Sequence, residues 1–286
     1  MKDLFHSFYT QYQSEVIDQL GSFFHITLEP FSLLSGGKYL RSLLFFSANP
    51  QNETTIRTAF LIELIHATSL VHDDIVDESS LRRGKPTLFR ELGVPKATAI
   101  GYYLLSYLQQ QLLLQSPLFY QACFHTLESM CKGQLQEIHR SGSKQYTIDE
   151  YIDTITWKTA SLFELSTGWI DSHFNESEAY FGTLFGQTFQ IMDDIQDFIL
   201  SEEKTGKPFQ QDTAQKVLTL PVLLAKQHGK SQVDEASIRE ACLFGIQNLD
   251  SAISQFPERN RLKNQLISSL QNFLLCTLGT VPKVKN

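Results

Sequence analysis

No stretch of 18 uninterrupted apolar residues occurs in this 286-residue chain, and no basic run exceeds the pair Arg82-Arg83. The first absence argues against a membrane-spanning helix, which takes about 20 apolar residues. The second, with a net charge of −7, argues against broad nucleic-acid binding. Turn formers are scarce as well: 15 Gly and 9 Pro stand against 42% hydrophobic residues, 21 of them Phe, a balance of core over turn material that favours helices. The four cysteines, Cys123, Cys131, Cys242 and Cys276, form no C-x-x-C pair and lie in apolar helical patterns, so neither a disulfide framework nor a zinc site is indicated. Met1-Lys2-Asp3-Leu4 leads into an amphipathic segment without a signal-peptide layout, and the expectation is a soluble, cytoplasmic protein.

Apolar periodicity and its breakers predict a series of helices. The first covers 4 to 20 and is broken by Gly21 and the turn at Pro30. A second starts near Lys38, after Ser35-Gly36-Gly37, and ends before Asn49-Pro50. Thr54 or Thr55 can cap a third, which runs through Ile56, Phe60, Leu64 and Val71 to Asp77. Beyond a polar loop, Glu78 to Thr87, helices are expected from about 94 to 115 and from 117 to 140. Ser141-Gly142-Ser143 breaks the chain before the capping box Thr147-x-x-Glu150, which opens a helix to about 171. Asn175-x-x-Glu178 opens the next, to 197; the polar loop Ser201 to Thr213 comes after it, and Pro221 falls in the first turn of another helix. Two more, near 233 to 253 and 258 to 277, precede the tail Val-Pro-Lys-Val-Lys-Asn. No strand alternation and no linker stand out. The prediction is one all-α domain, residues 1–286, of about ten helices bundled around a central cavity.

Two of those helices end in the same pattern: Asp73-Asp74-Ile75-Val76-Asp77 and, 120 residues later, Asp193-Asp194-Ile195-Gln196-Asp197. On a helix the first and last Asp of Asp-Asp-x-x-Asp lie about 40° apart and about 6 Å along the axis, so they share a face. Carboxylates stacked there repel one another, the more so near the negative helix C-terminus, unless a cation sits among them. All-oxygen ligands in small number suit Mg²⁺, which keeps waters and bridges to phosphates. A solvated acidic helix end is the plainer alternative for one copy; two copies flanked by cations weigh against it. Residues 60–77 align with 180–197 only locally, which points to two helices facing one cavity and not to a repeat array.

The cations fall in two sets. Gly36-Gly37-Lys38-x-x-Arg41 puts a flexible loop and two positive charges, three residues apart on one face, at a helix N-terminus, a plausible anion seat. His66, seven residues before Asp73, lies on nearly the same face, and Arg82-Arg83 come next in a loop where neighbours point to opposite sides. Each element alone has a blander reading. Gly36-Gly37 can be only a turn, His66 a core histidine, Lys158 and Arg82 surface charges, and Thr159 and Gln190 bonds between neighbouring helices.

Taken together and in order, these motifs resemble the trans-isoprenyl (polyprenyl) diphosphate synthase family from about Gly36 to Pro221. Gly36-Gly37-Lys38-Tyr39-Leu40-Arg41 looks like its first signature. Leu70 to Asp77 with Leu81-Arg82-Arg83-Gly84-Lys85-Pro86-Thr87 is similar to its first aspartate-rich region. Lys158-Thr159-Ala160 is similar to that family's Lys-Thr motif, and Gly186 to Asp197 with Gly206-Lys207-Pro208 and Asp212 to its second aspartate-rich region. The resemblance implies an isoprenoid-synthase-type fold and a trans-prenyltransferase that joins isopentenyl diphosphate to an allylic prenyl diphosphate. It implies a catalytic set of Asp73, Asp77, Arg82, Lys158 and Asp193. Several Mg²⁺ ions, three with substrate bound, would be held by Asp73, Asp77 and Asp193 with Asp74, Asp194 and Asp197 in support. Arg82, Lys158, Thr159, Gln190 and Lys207 would contact the allylic substrate, and Lys38, Arg41, His66 and Arg83 the isopentenyl diphosphate. Mg²⁺ and cations would stabilise the departing pyrophosphate while the C–O bond ionises, and pyrophosphate would take the final proton. A homodimer is implied, with a heterodimer as the variant, and an apolar product would bring the protein to a membrane only transiently.

The chain departs from that pattern at Val217, where another Lys is usual, at Ser42, where Pro is usual, and at Tyr102, where Asp is common. The residues five and four before Asp73, Thr68 and Ser69, are small, and an aromatic there would block a growing chain. The expected product is therefore longer than farnesyl diphosphate, with Phe46, Tyr102 and Tyr103 as candidates for a deeper floor. Two alternatives stand beside this. A class I terpene cyclase would carry Ser or Thr four residues and Glu eight residues past its first ligand, where this chain has Asp197 and Ser201 after Asp193. An impaired partner subunit of a hetero-oligomer is suggested by Val217.

Overall fold

Asn52 begins a long apolar helix of the N-terminal half by accepting from Thr55 N at 2.9 Å. Asn is as good an N-cap as Thr, and its position leaves Thr54 and Thr55 inside the first turn, so the cap lies two or three residues before the predicted one. In a computed structural model of the chain, residues 10, 14, 38–50, 52–140, 146–199, 218–255 and 261–280 are described. The expected helix at 4–20 apart from residues 10 and 14, Gly21 and Pro30, Gly36-Gly37, the Ser141–Ser143 break, the loop Ser201 to Thr213 with Gly206-Lys207-Pro208 and Asp212, Val217 and the tail lie outside the described residues.

Among the described residues the elements run α1 Leu40–Ala48, α2 Glu53–Val76, β1 Leu81–Arg82, β2 Lys85–Pro86, α3 Leu88–Leu112, α4 Pro117–Arg140 and α5 Ile148–Ile155. A π-helical turn, Thr156–Ala160, leads into α6 Ser161–Gly168 and a hairpin of β3 Trp169–Ile170 and β4 His173–Phe174. Then come α7 Glu176–Ile199, α8 Leu220–Gln227, α9 Glu235–Gln255 and α10 Arg261–Thr280. The strands are two residues long each, so the fold is all-α as expected. No helix among the described residues is long and apolar enough to cross a membrane.

Contacts divide the chain into two compact units, Met1–Phe124 with Trp169–His173, and His125–Gly168 with Phe174–Asn286. In the first, α2 is apolar around most of its circumference, with Ile56, Ala59, Ile62, Leu64 and Ile65 all fully buried, as befits a helix surrounded by others. Helix α1 packs on it through buried Leu44, Phe45 and Phe46. Helix α3 is two helical pieces joined at Gly93, whose φ of 73° and ψ of 167° break the helix just before Pro95. The predicted start near 94 is therefore the start of the second piece, and Thr87 caps the first by accepting from Arg90 N at 3.1 Å.

The second unit is built on α7. Its cap is as predicted: Asn175 Oδ1 accepts from Glu178 N at 3.1 Å. The capping box of α5 also forms, with Glu150 N to Thr147 Oγ1 at 3.2 Å and Thr147 N to Glu150 Oε2 at 3.0 Å. Phe163 meets Phe185 and Phe189 at ring separations of 5.3 and 5.5 Å, and each buried ring contributes roughly 1.5–3 kcal/mol. Lys263 of α10, only 5% exposed, pairs with Glu178 and lies over the Phe181 ring. The expected helix from 147 to 171 is interrupted, because the π turn adds a residue at Thr156–Ala160 that helical periodicity does not announce.

Candidate active site

In the first unit, α2 carries the first acidic motif to its C-terminus, where Asp77 is the C-cap. Asp74 is buried, whereas Asp73 and Asp77 are half-exposed on the shared face. Just beyond, Ser79 N donates to Asp74 O at 2.9 Å and Thr87 Oγ1 donates to Ser79 O at 2.5 Å, which folds the next loop back on the helix end. Arg82 and Arg83 thus sit in a hairpin and not in the extended loop expected. Arg83 and Gly84 form its two-residue turn with φ of 54° and 75°, the sign combination of a type I′ turn. Arg82 Nε and Nη2 both donate to Asp74 Oδ1, at 2.8 and 2.7 Å. Burial pushes the Asp74 carboxyl upward, and the Arg82 bond and charge oppose that shift.

Beside this hairpin, the residues assigned to the second diphosphate come together in part. Burial holds the His66 imidazole well below its usual range, and the charges of Arg41, Arg83 and Arg82 press it lower still. His66 is therefore a neutral donor or acceptor amid three guanidinium groups. Lys38 is exposed and precedes α1, with Tyr39 between them in the left-handed region at φ 51°. The helical spacing of Lys38 and Arg41 on one face does not hold, since only Arg41 is in the helix. Thr68 is 2% exposed and donates to Leu64 O at 2.8 Å; Phe46 is fully buried, while Tyr102 is 63% exposed and stands edge-on to His72 at 6.0 Å. A carboxylate that motif reasoning missed, Glu63, is buried and accepts from Ser42 Oγ, next to Arg41, at 3.1 Å. Its only sequence signal was a lone charge within the apolar run Phe60–Ile65.

The second unit places its residues around the π turn. A Cβ on Gly133 of α4 would lie 2.5 Å from Lys158 N, and one on Gly186 of α7 would lie 2.6 Å from Ala160 Cα. Only glycine lets both helices close on that backbone. The turn presents Trp157, against which Lys132 Nζ sits 3.5 Å from the ring centroid, then Lys158, paired with Glu137, and Thr159. Thr159 Oγ1 donates to Gln190 Oε1 at 2.8 Å, and Gln190 Nε2 donates to Asp194 Oδ1 at 2.8 Å. Tyr151 OH, with no local sequence signal, completes the chain on Asp194 Oδ2 at 2.6 Å. Asp194 is buried, while Asp193 and Asp197 are half-exposed one turn apart.

The two motifs share one design. The middle Asp is buried and bonded by protein donors, on one oxygen in Asp74 and on both in Asp194, and the outer pair shares a half-exposed face. Among the described residues no three His, Cys, Asp or Glu side chains gather into a preformed metal cluster. Paired outer carboxylates and no soft donors nonetheless fit Mg²⁺, which takes few protein oxygens and completes its shell with water and phosphate.

This all-α fold is that of the isoprenyl diphosphate synthases. It aligns with the crystal structure of heptaprenyl diphosphate synthase from Staphylococcus aureus at a TM-score of 0.76 and 25% identity, over 93% of this chain and 98% of that one. The chain belongs to the polyprenyl synthetase family, whose model matches residues 27–243. It is 32% identical over 204 residues to heptaprenyl diphosphate synthase component 2 of Bacillus subtilis, over 68% of this chain and 59% of that protein. To the protein of the same name from Geobacillus stearothermophilus it is 34% identical over 204 residues, 68% of this chain and 64% of that one. The match thus spans less than two thirds of the length of either relative.

Proposed function

We propose that the chain is a trans-prenyltransferase that condenses isopentenyl diphosphate with an allylic prenyl diphosphate to give a polyprenyl diphosphate longer than fifteen carbons. The observation that carries the reading is the repeated design of the two motifs: an outer pair of half-exposed carboxylates, an anchored middle Asp, and basic residues alongside. Asp73, Asp77 and Asp193 would hold Mg²⁺, three ions when substrate is bound, with Asp74, Asp194 and Asp197 in support. When bound, the metal neutralises charge that builds on the departing diphosphate. Arg82 and Lys158, each paired with a carboxylate, exchange that partner for the allylic diphosphate, which Thr159 and Gln190 also contact; Lys207 joins this proposed set by its sequence motif alone. Arg41, neutral His66, Arg83 and Lys38 receive the isopentenyl diphosphate. The allylic C–O bond breaks with its electron pair going to diphosphate, the second substrate's double bond forms the new C–C bond, and diphosphate takes the proton released. Residues 1–286 act in this as one polyprenyl synthase domain in the cytoplasm, a location that cell fractionation checks.

The names of the two relatives above, each a component 2, favour a second reading in which the chain needs a different polypeptide to be active. Incubating the purified chain with Mg²⁺, farnesyl diphosphate and labelled isopentenyl diphosphate decides among the readings. Elongated product supports the self-sufficient enzyme, working as a homodimer. Product formed only on adding a partner supports the hetero-oligomer. A cyclised hydrocarbon with no label incorporated means a terpene cyclase and ends the proposal.

A further inference from the structure

We infer that Glu63 is a positioning residue for the seat of the second diphosphate: with Ser42 it brackets Arg41 at the entry of α1 and holds that guanidinium toward the face of α2 that carries His66. The inference rests on the prenyltransferase reading above and adds a residue outside every motif of the chain.

Glu63 is 7% exposed within the apolar run Phe60–Ile65. An ionisable carboxyl persists in such surroundings only when it is paired. Burial pushes its carboxyl up, and the charge of Arg41, the Ser42 hydroxyl and the charge of Arg83 pull it back, in that order. Ser42 is fully buried, next to Arg41 in the first turn of α1, and its Oγ lies 3.1 Å from Glu63 Oε2. The same hydroxyl is 3.1 Å from Tyr39 O. Tyr39 enters the helix at φ 51° with no side-chain cap. A residue other than glycine keeps that conformation only when its surroundings over-determine it. One serine therefore links the strained entry of α1 to the buried carboxylate on α2. Glu63 and His66 are three residues apart, on one side of α2.

A carboxylate behind an anion seat makes the test sharp, because its two conceivable effects have opposite signs. As a bare charge it repels the diphosphate, so its removal would tighten binding. As a bracket for Arg41 it aids binding, so its removal weakens it. Isopentenyl diphosphate without an allylic partner does not react, so calorimetry on the full chain reads the seat directly. Glu63→Gln keeps the shape and removes the charge. It should weaken isopentenyl diphosphate about tenfold or more, while KM for the allylic diphosphate moves by less than about twofold. Ser42→Ala should weaken the same ligand by a smaller factor. Unchanged or tighter binding by Glu63→Gln overturns the inference. Should that variant not fold, Ser42→Ala decides, and wild-type affinity there overturns it. A wild-type chain that binds no isopentenyl diphosphate removes the prenyltransferase reading and this role with it. A wild type that binds, with a variant that binds equally well, removes the role of Glu63 alone.

Discussion

Tyr151 OH donates to Asp194 Oδ2 at 2.6 Å across 43 positions of sequence, and Gln190 occupies the other carboxylate oxygen. Both oxygens of Asp194 are committed to protein donors, so this residue anchors the motif and orients Gln190, while the half-exposed Asp193 is the proposed ligand. Asp193→Asn should raise the Mg²⁺ concentration for half-maximal rate at least ~10-fold, the low end of what even outer partners of a metal contribute. Asp194→Asn should leave that concentration near wild type and instead raise KM for the allylic diphosphate. Rate measured against Mg²⁺ in both variants checks this; equal shifts would erase the distinction.

Arg82 offers two donors to one oxygen of buried Asp74. Arg82→Ala leaves that carboxylate without its main partner and should lower stability by about 1–3 kcal/mol. Arg82→Lys should recover less than half, because a lysine lacks the planar fork. Urea midpoints of the three proteins give the answer, and coincident midpoints would mean the pair contributes nothing to stability.

Gly133 sits where a methyl group would strike the Lys158 backbone. Gly133→Ala should cost about 1–3 kcal/mol and lower kcat/KM as Lys158 shifts. Gly279, also helical, has nothing within 4 Å, and Gly279→Ala should stabilise by about 0.5–1 kcal/mol. Thermal unfolding of both variants tests the contrast; a neutral Gly133→Ala would mean the helices can part there without penalty.

Burial pushes the Tyr146 phenol up to about 12, with the charges of Glu137 and Glu150 adding to it and the Thr154 bond and Arg140 opposing. The raised value means that the folded protein holds this proton longer than the unfolded chain, whose phenol titrates near pH ~10. The resulting stabilisation is complete below pH ~10 and is lost as pH rises toward about 12. Tyr146→Phe should show a shallower alkaline decline in unfolding midpoint; identical slopes would dismiss this source.

Thr68 lies buried one turn before His72. On the proposed reaction, Thr68→Phe should shorten the dominant product by one or more isoprene units, resolved by chromatography of the dephosphorylated alcohols. An unchanged length distribution would remove Thr68 from the control of chain length.

Much of the site could be read locally. The Asp-Asp-x-x-Asp pairs, the capping box at Thr147, the Asn175 cap and the extent of α4 all depend on residues within one or two turns of each other, and the structure keeps them. What escaped depends on partners far apart in the chain. The pairing of Arg82 with Asp74 is one such case, made by the hairpin at Arg83-Gly84 that turns Arg82 back on the helix end. Thr159 and Gln190 do bond neighbouring helices, the blander reading, and that bond is also what orients Gln190 on Asp194.

Composition and periodicity by themselves determined that the chain is helical, that its acidic clusters end two helices, and that those clusters fit a hard cation. Those properties come from side-chain chemistry and from 3.6 residues per turn. Only tertiary structure decided which Asp of each motif turns inward, that Glu63 is buried against Ser42, and that a π turn carries Lys158. Each of these is set by burial against another helix, where a charge must find a donor or a backbone must find room.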